Sequence, residues 1–176
     1  METIAKRETI RLEVNPKRFM PSILFVLKAR SKEKNRQQLS YLNIDDAGFC
    51  CTDGKRLHFC NDKNALPKGL ANGLYDVIVT SKSIAFIPVD GTFPNYQNVI
   101  PGDSENQSAL FIENNSISVS LGLALLSKLL KNKYTVNYEH LIDVIDIRWS
   151  VSVNEDKPVK LTNGKMLVLI MPIRFA

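Results

Sequence analysis

Leu39–Cys60, LSYLNIDDAGFCCTDGKRLHFC, is the stretch whose reading decides the fold. Leu39 to Ile44 reads as a strand, Asp45 to Gly48 as a turn, Phe49 to Thr52 as a second strand and Arg56 to Cys60 as a third. Between the last two lies Asp53-Gly54, a tight-turn signal because glycine adopts positive φ without steric cost. The stretch is therefore an antiparallel meander. Upstream, Glu8 to Val14 alternates with Ile10, Leu12 and Val14 on one side, the pattern of a half-buried strand. Asn15 then offers a helix N-cap and Pro16 a first helical residue, and Phe19, Ile23, Val26 and Leu27 recur at helical spacing. Lys17, Arg18, Lys28 and Arg30 occupy the opposite face.

Downstream, Leu74 to Thr80 alternates again and reads as a strand. Residues 88–107, rich in proline and turn formers, read as an ordered connector. Ala109 to Glu113 and Ser116 to Leu121 form a hairpin, and Leu123 to Leu130 is either a short helix or its extension. Tyr134 to Asn137 leads into a helix over Tyr138 to Ile147 with Leu141, Ile142 and Ile145 on one face. Strands over Trp149 to Val153, Val159 to Leu161 and Met166 to Ile173 follow. The order strand-helix-strands thus occurs twice, in residues 1–87 and 108–176. That repetition predicts an α+β fold, antiparallel sheet with helices on one face, as one compact domain overall.

A chain of 176 residues can bury a single substantial core. The N-terminal METIAKRETIRLEV has no apolar signal region, and the longest apolar run, Met166 to Pro172, is too short to span a bilayer, so a cytoplasmic protein without membrane partners is expected. Cys50, Cys51 and Cys60 have no CxxC spacing and read as buried, reduced thiols. With His58 and His140 as the two histidines, no metal site and no cofactor are expected. No P-loop, GxSxG, HExxH or paired-carboxylate pattern is present; Asp53 reads as a turn former and His58 as a neutral imidazole, so catalysis is not expected. The charge is polarised. Residues 1–36 carry ten Lys or Arg against four Glu, a local balance of +6 in a chain of net charge +5. Such a surface suits phosphates, because each contact releases condensed counterions, although a solvated helix face would carry the same pattern.

Three segments resemble the beta subunit of bacterial DNA polymerase III, the sliding clamp. Thr52-Asp53-Gly54-Lys55-Arg56-Leu57 is similar to the TDG[HK]RL strand-turn-strand of the clamp's middle domain, and VDGTFPNYQNVIP (Val89 to Pro101) resembles the DGxFPDYxxVxP segment that leaves it. Lys157-Pro158-Val159 through Leu169-Ile170-Met171-Pro172-Ile173-Arg174 resembles the KP…YLxMPxR ending of the last domain. VNYEHLIDVI and LFIENNSISVSL are fainter matches to a helix and a hairpin of that domain.

The resemblance implies a ring-forming replication processivity or recruitment module that binds DNA without sequence readout and carries a groove for short peptides of DNA polymerase and other replication proteins. It assigns to that groove the walls Leu57, Pro94, Val99, Leu169, Met171, Pro172 and Ile173, and the polar rim Thr52, Gly54, Lys55, Arg56, Asn98 and Arg174. DNA would lie against Lys17, Arg18, Lys28, Arg30, Lys32, Lys34 and Arg36. The clamp chain is longer and has three domains. If the two halves here make one domain, a six-domain ring takes about six copies closed head to tail, a homo-oligomer. The alternative is a clamp-derived adaptor or decoy that keeps the groove without encircling DNA. Two departures bear on this: Glu139, Asp143 and Asp146 make the second helix acidic, and Gln97 and Asn98 stand where clamps often carry basic residues.

Overall fold

The computed structural model describes residues 7–102, 110–111, 134–144, 149–152 and 157–174. They form two units, one of residues 1–54 and 59–94, the other of residues 55–58 and 95–176.

In the first unit, β1 is Ile10–Leu12, shorter than the alternation suggested. The Asn15 side chain then accepts a hydrogen bond from Lys17 N at 3.1 Å and Pro16 opens α1, Pro16–Phe19. The expected continuous helix is broken at Met20 (φ −135°, ψ 50°), and α2 restarts at Pro21–Leu27. Proline explains the break: its ring disfavours the helical region for the preceding residue, and it has no N–H to donate to the turn before it. The break also changes which side chains face inward. Met20, Ile23, Phe25, Val26 and Leu27 are buried, whereas Phe19, expected on that face, is 61% exposed.

Leu39 and Ser40, expected in a strand, instead end a 3-10 stretch, Lys34–Ser40. Local bonds hold them there: Ser40 Oγ donates to Gln37 O at 2.6 Å, and Ser31 N donates to Leu39 O at 2.9 Å. β2 therefore shrinks to Leu42–Ile44, followed by β3 (Phe49–Thr52) and β4 (Arg56–Cys60) as the meander required. Gly48 is obligatory in the first turn, since at φ +150° a Cβ would stand 2.1 Å from Cys60 O. β5 is Gly73–Val79, and a strand unforeseen in the sequence, β6 (Ile84–Val89), pairs with it from Leu74 opposite Val89 to Val79 opposite Ile84. The strand order is β1-β6-β5-β2-β3, all antiparallel, and β3 neighbours β4. Phe49, Cys50 and Cys51 are all buried, because α2 packs on β3 and covers the face that simple alternation would leave wet.

In the second unit, β7 (Leu110–Phe111), β9 (Ser150–Ser152), β10 (Val159–Thr162) and β11 (Met166–Ile170) order as β7-β9-β10-β11, with the Arg56 to His58 end of β4 beyond β11. Val151, Val159, Leu161, Val168, Leu169 and Ile170 make its core. α3, Tyr138–Ile142, is capped by Asn137, whose side chain accepts from Glu139 N at 3.0 Å. It stops five residues before the expected Ile147: Val144 N turns back to Leu141 O, and Val144 O is taken by Trp149 Nε1 at 2.8 Å. The strand expected over Met166 to Ile173 is likewise divided at Met171-Pro172. Its last residues form β12, Ile173–Arg174, which pairs with β8, Tyr134–Thr135. The hairpin turn at Asn114-Asn115, the Leu123 to Leu130 segment, Ile145 to Ile147 and Asn154 lie outside the described residues.

Candidate functional site

The second unit holds parts of the three sequence segments singled out above: Lys55 to Leu57, Asn95 to Pro101 and the C-terminal Lys157 to Arg174. At the end of β11, Met171 N donates to Lys55 O at 2.8 Å, fixing the C-terminal MPIR segment against the start of β4. Lys160, which faces Leu169 in the β10–β11 register, donates through Nζ to Pro101 O at 3.2 Å and so holds the end of the 95–101 segment beside the same sheet. Arg56 Nη1 forms an ion pair with Asp143 Oδ2, with only 13% and 19% of the two side chains exposed. β4 is thereby braced against the end of α3. Sequence patterning gave no sign of this pair: Asp143 read simply as part of an acidic helix, and its partner is 87 positions away.

Residues assigned to the groove divide sharply by exposure. Val99, Met171 and Ile173 are large apolar groups left open to solvent, and Pro172 is half-buried. Leu57 and Leu169 lie in the core and present no surface, which is the structural role their strand positions already allowed. Lys55 and Asn98 are exposed, while Arg56 is drawn inward by Asp143. Thr52, Gly54 and Pro94 belong to the first unit. Thr52 Oγ1 accepts from Gly54 N at 3.0 Å, which fixes the Asp53-Gly54 turn. Two further exposed apolar residues, Tyr138 and Ile142, stand one helical turn apart on α3. Ile142, expected to share a buried face with Leu141, is half exposed while Leu141 is buried.

The basic residues belong to the first unit. Lys17 and Arg18 on α1, Lys28 at the C-cap of α2, and Lys32, Lys34 and Arg36 beyond it are all exposed. Lys32 and Lys34 join Ser31, Glu33, Gln37 and Ser40 around an open depression of about 380 Å³. Arg36 Nε lies 3.5 Å from Glu33, an exposed pair of little energetic weight. Arg30 differs: it is half-buried, and its Nη1 donates to Val77 O at 3.0 Å, so part of its guanidinium serves the fold.

The remaining reactive groups are buried. Cys50, Cys51 and Cys60 are fully buried and form no disulfide. Burial pushes the Cys50 and Cys51 thiols well above their usual range, with the neighbouring Cys51 charge adding to the effect on Cys50. His58 and His140 are buried as well. Among the described residues no three His, Cys, Asp or Glu side chains cluster as metal ligands, and no helix is long and apolar enough to cross a membrane.

A strand-rich chain of two units, each with antiparallel sheet and short helices, has the architecture of the DNA clamps. Solved structures bear this out. The chain superposes on a Pseudomonas aeruginosa DNA polymerase sliding clamp with a TM-score of 0.64 at 13% identity, covering 99% of this chain and 69% of that one. For the Bacillus subtilis sliding clamp the values are 0.58, 14%, 100% and 67%. For the Helicobacter pylori beta clamp bound to a DNA ligase peptide they are 0.56, 14%, 98% and 67%. The fold is that of the bacterial beta sliding clamp. No protein-family model and no curated protein matches the sequence.

Proposed function

We propose that the chain is a non-catalytic clamp-type processivity or recruitment module, which docks a short hydrophobic peptide of a replication protein on the second unit and holds DNA through the basic residues of the first. The observation that carries this reading is the Met171–Lys55 bond. It pins the MPIR segment to the TDGKRL strand while leaving Met171 and Ile173 exposed, in a unit that also exposes Val99, Tyr138 and Ile142. Extended peptides with leucine or phenylalanine anchors need apolar walls on a rigid support, and methionine adapts its shape to varied anchors. The clamp fold, and a structural neighbour solved with a ligase peptide, support the same reading. In it, Leu57 and Leu169 supply the floor from beneath, Asn98, Lys55 and Arg174 the polar rim, and the first unit's Lys17, Arg18, Lys28, Lys32, Lys34 and Arg36 the phosphate contacts.

Titration of a fluorescent clamp-binding peptide against wild type and Met171→Ala tests the docking half. Truncating a methionine that the peptide covers should weaken binding about tenfold or more; equal affinity for both proteins, or none for either, removes the proposal. Duplex binding at increasing salt tests the other half. Lys32→Glu with Lys34→Glu should flatten the slope of log K against log salt by about 2, near 0.9 for each phosphate no longer neutralised. Light scattering of the purified chain and retention on circular against linear DNA separate a closed homo-oligomeric ring from an adaptor that docks peptides without encircling DNA.

A further inference from the structure

Among the described residues the most exposed large apolar side chain is Phe19, and it stands in the most basic part of the chain. The helix break at Met20 puts it there: Met20 takes the inward position, and Phe19 is left at the end of α1 behind the exposed Lys17 and Arg18. The Arg18 guanidinium carbon lies 5.3 Å from the centroid of the Phe19 ring, so a cation covers part of the aromatic surface while 61% of the residue remains open. A phosphate surface for duplex DNA has no use for an apolar ring, since phosphates are bound by charge and hydrogen bonds. An aromatic ring beside cations is instead the pairing that holds single-stranded nucleic acid, with the backbone tracked by charge and a base stacked on the ring.

We infer that Lys17, Arg18 and Phe19 form a stacking platform for an unpaired base, giving the chain a preference for single-stranded DNA, or for the single-stranded side of a primer-template junction, over continuous duplex. The inference rests on the proposal that DNA is held by the basic residues of the first unit. Charge complementarity selects a nucleic acid as occupant: α1 carries two cations and no acid, within a segment of net charge +6. The base lies on the open face of Phe19, and Arg18, already against the ring, remains within reach of the adjoining phosphate.

The test is fluorescence anisotropy with three labelled DNAs of equal length, namely a single strand, a duplex and a recessed junction, against wild type, Phe19→Ala and Phe19→Trp. Phe19 is exposed, so neither substitution opens a cavity. The expected result is a loss of about tenfold on the single strand and junction for Phe19→Ala, with duplex affinity changed less than about twofold and full recovery in Phe19→Trp. Phe19→Trp carries its own reporter: the natural Trp149 is buried, so a base-dependent quenching accessible to iodide arises from position 19. Equal affinities of wild type and Phe19→Ala for all three DNAs, with duplex binding intact, overturn the platform and leave the DNA-binding reading standing. Failure of the wild type to bind any of the three overturns both. A change of solution mass in Phe19→Ala without loss of single-strand binding overturns the platform by making Phe19 a contact between copies.

Discussion

Removing Asp143 should destabilise the protein far more than the loss of a surface charge would. An exposed ion pair contributes about 0.2–1 kcal/mol, whereas breaking a buried one costs about 3–5 kcal/mol because the partner's charge stays in a poorly solvated site. With 13% of Arg56 and 19% of Asp143 exposed, the pair is neither a surface pair nor a fully buried one, and its cost lies between these limits. Asp143→Ala should therefore cost about 2 kcal/mol, close to a thirtyfold shift in the folding equilibrium. Asp143→Asn keeps an acceptor and the side-chain shape and should cost about half as much. The double change Arg56→Met with Asp143→Leu removes both charges together and should recover most of the loss. Urea denaturation of the wild type, Arg56→Met, Asp143→Leu and the double gives the coupling energy of the cycle. Amide exchange at Met171 gives its local consequence, because the Lys55 carbonyl that holds that amide adjoins Arg56. Additive single losses, with a coupling energy below about 0.5 kcal/mol, would refute the argument that this pair braces β4.

Backbone geometry and burial set the remaining outcomes. Gly48→Ala should destabilise by about 3 kcal/mol or abolish folding, since its Cβ would meet Cys60 O at 2.1 Å, whereas Gly164→Ala, at φ +78° with open space around it, should cost only about 1 kcal/mol; denaturation midpoints measure both, and equal losses would contradict the steric account. The three cysteines should resist iodoacetamide in the native protein and react together on unfolding, as followed by mass spectrometry, with rapid native labelling as the contrary result. Because burial raises the Cys50 and Cys51 thiols above the ordinary value of 9.0, the unfolded state loses those protons first, and stability should decline as pH rises past about 9. Urea midpoints measured across that range check it, and a flat profile would contradict it.

Much of the architecture was legible where chemistry is local. Asp53-Gly54 set the β3–β4 turn, Asn15-Pro16 the start of α1, and Asn137 that of α3. What escaped depends on distant partners. β6 was hidden because Pro88 and the turn residues after it suggest a connector. In the fold Pro88 lies beyond Phe86, the last β6 residue opposite β1, where a missing N–H costs that ladder nothing. Helical spacing placed Phe19 inside, and a single proline two positions later reversed it. At the candidate site the segments could be read but their exposure could not. Leu169 and Met171 look alike in sequence, yet one is core and the other surface, because the strand ends between them. The Arg56–Asp143 pair left no local trace at all.

The bond from Met171 to Lys55 spans 116 positions of the chain. Contacts of such separation are slow to form, since a long loop must close before they give any return. During synthesis the strand bearing Lys55 emerges early, while its partner follows only when residue 171 has left the ribosome. Under the docking proposal, competence to bind a peptide is thereby tied to synthesis through the MPIR segment. A nascent or clipped product that lacks it presents no peptide site, so copies without the segment do not compete with copies that carry it for the same replication proteins.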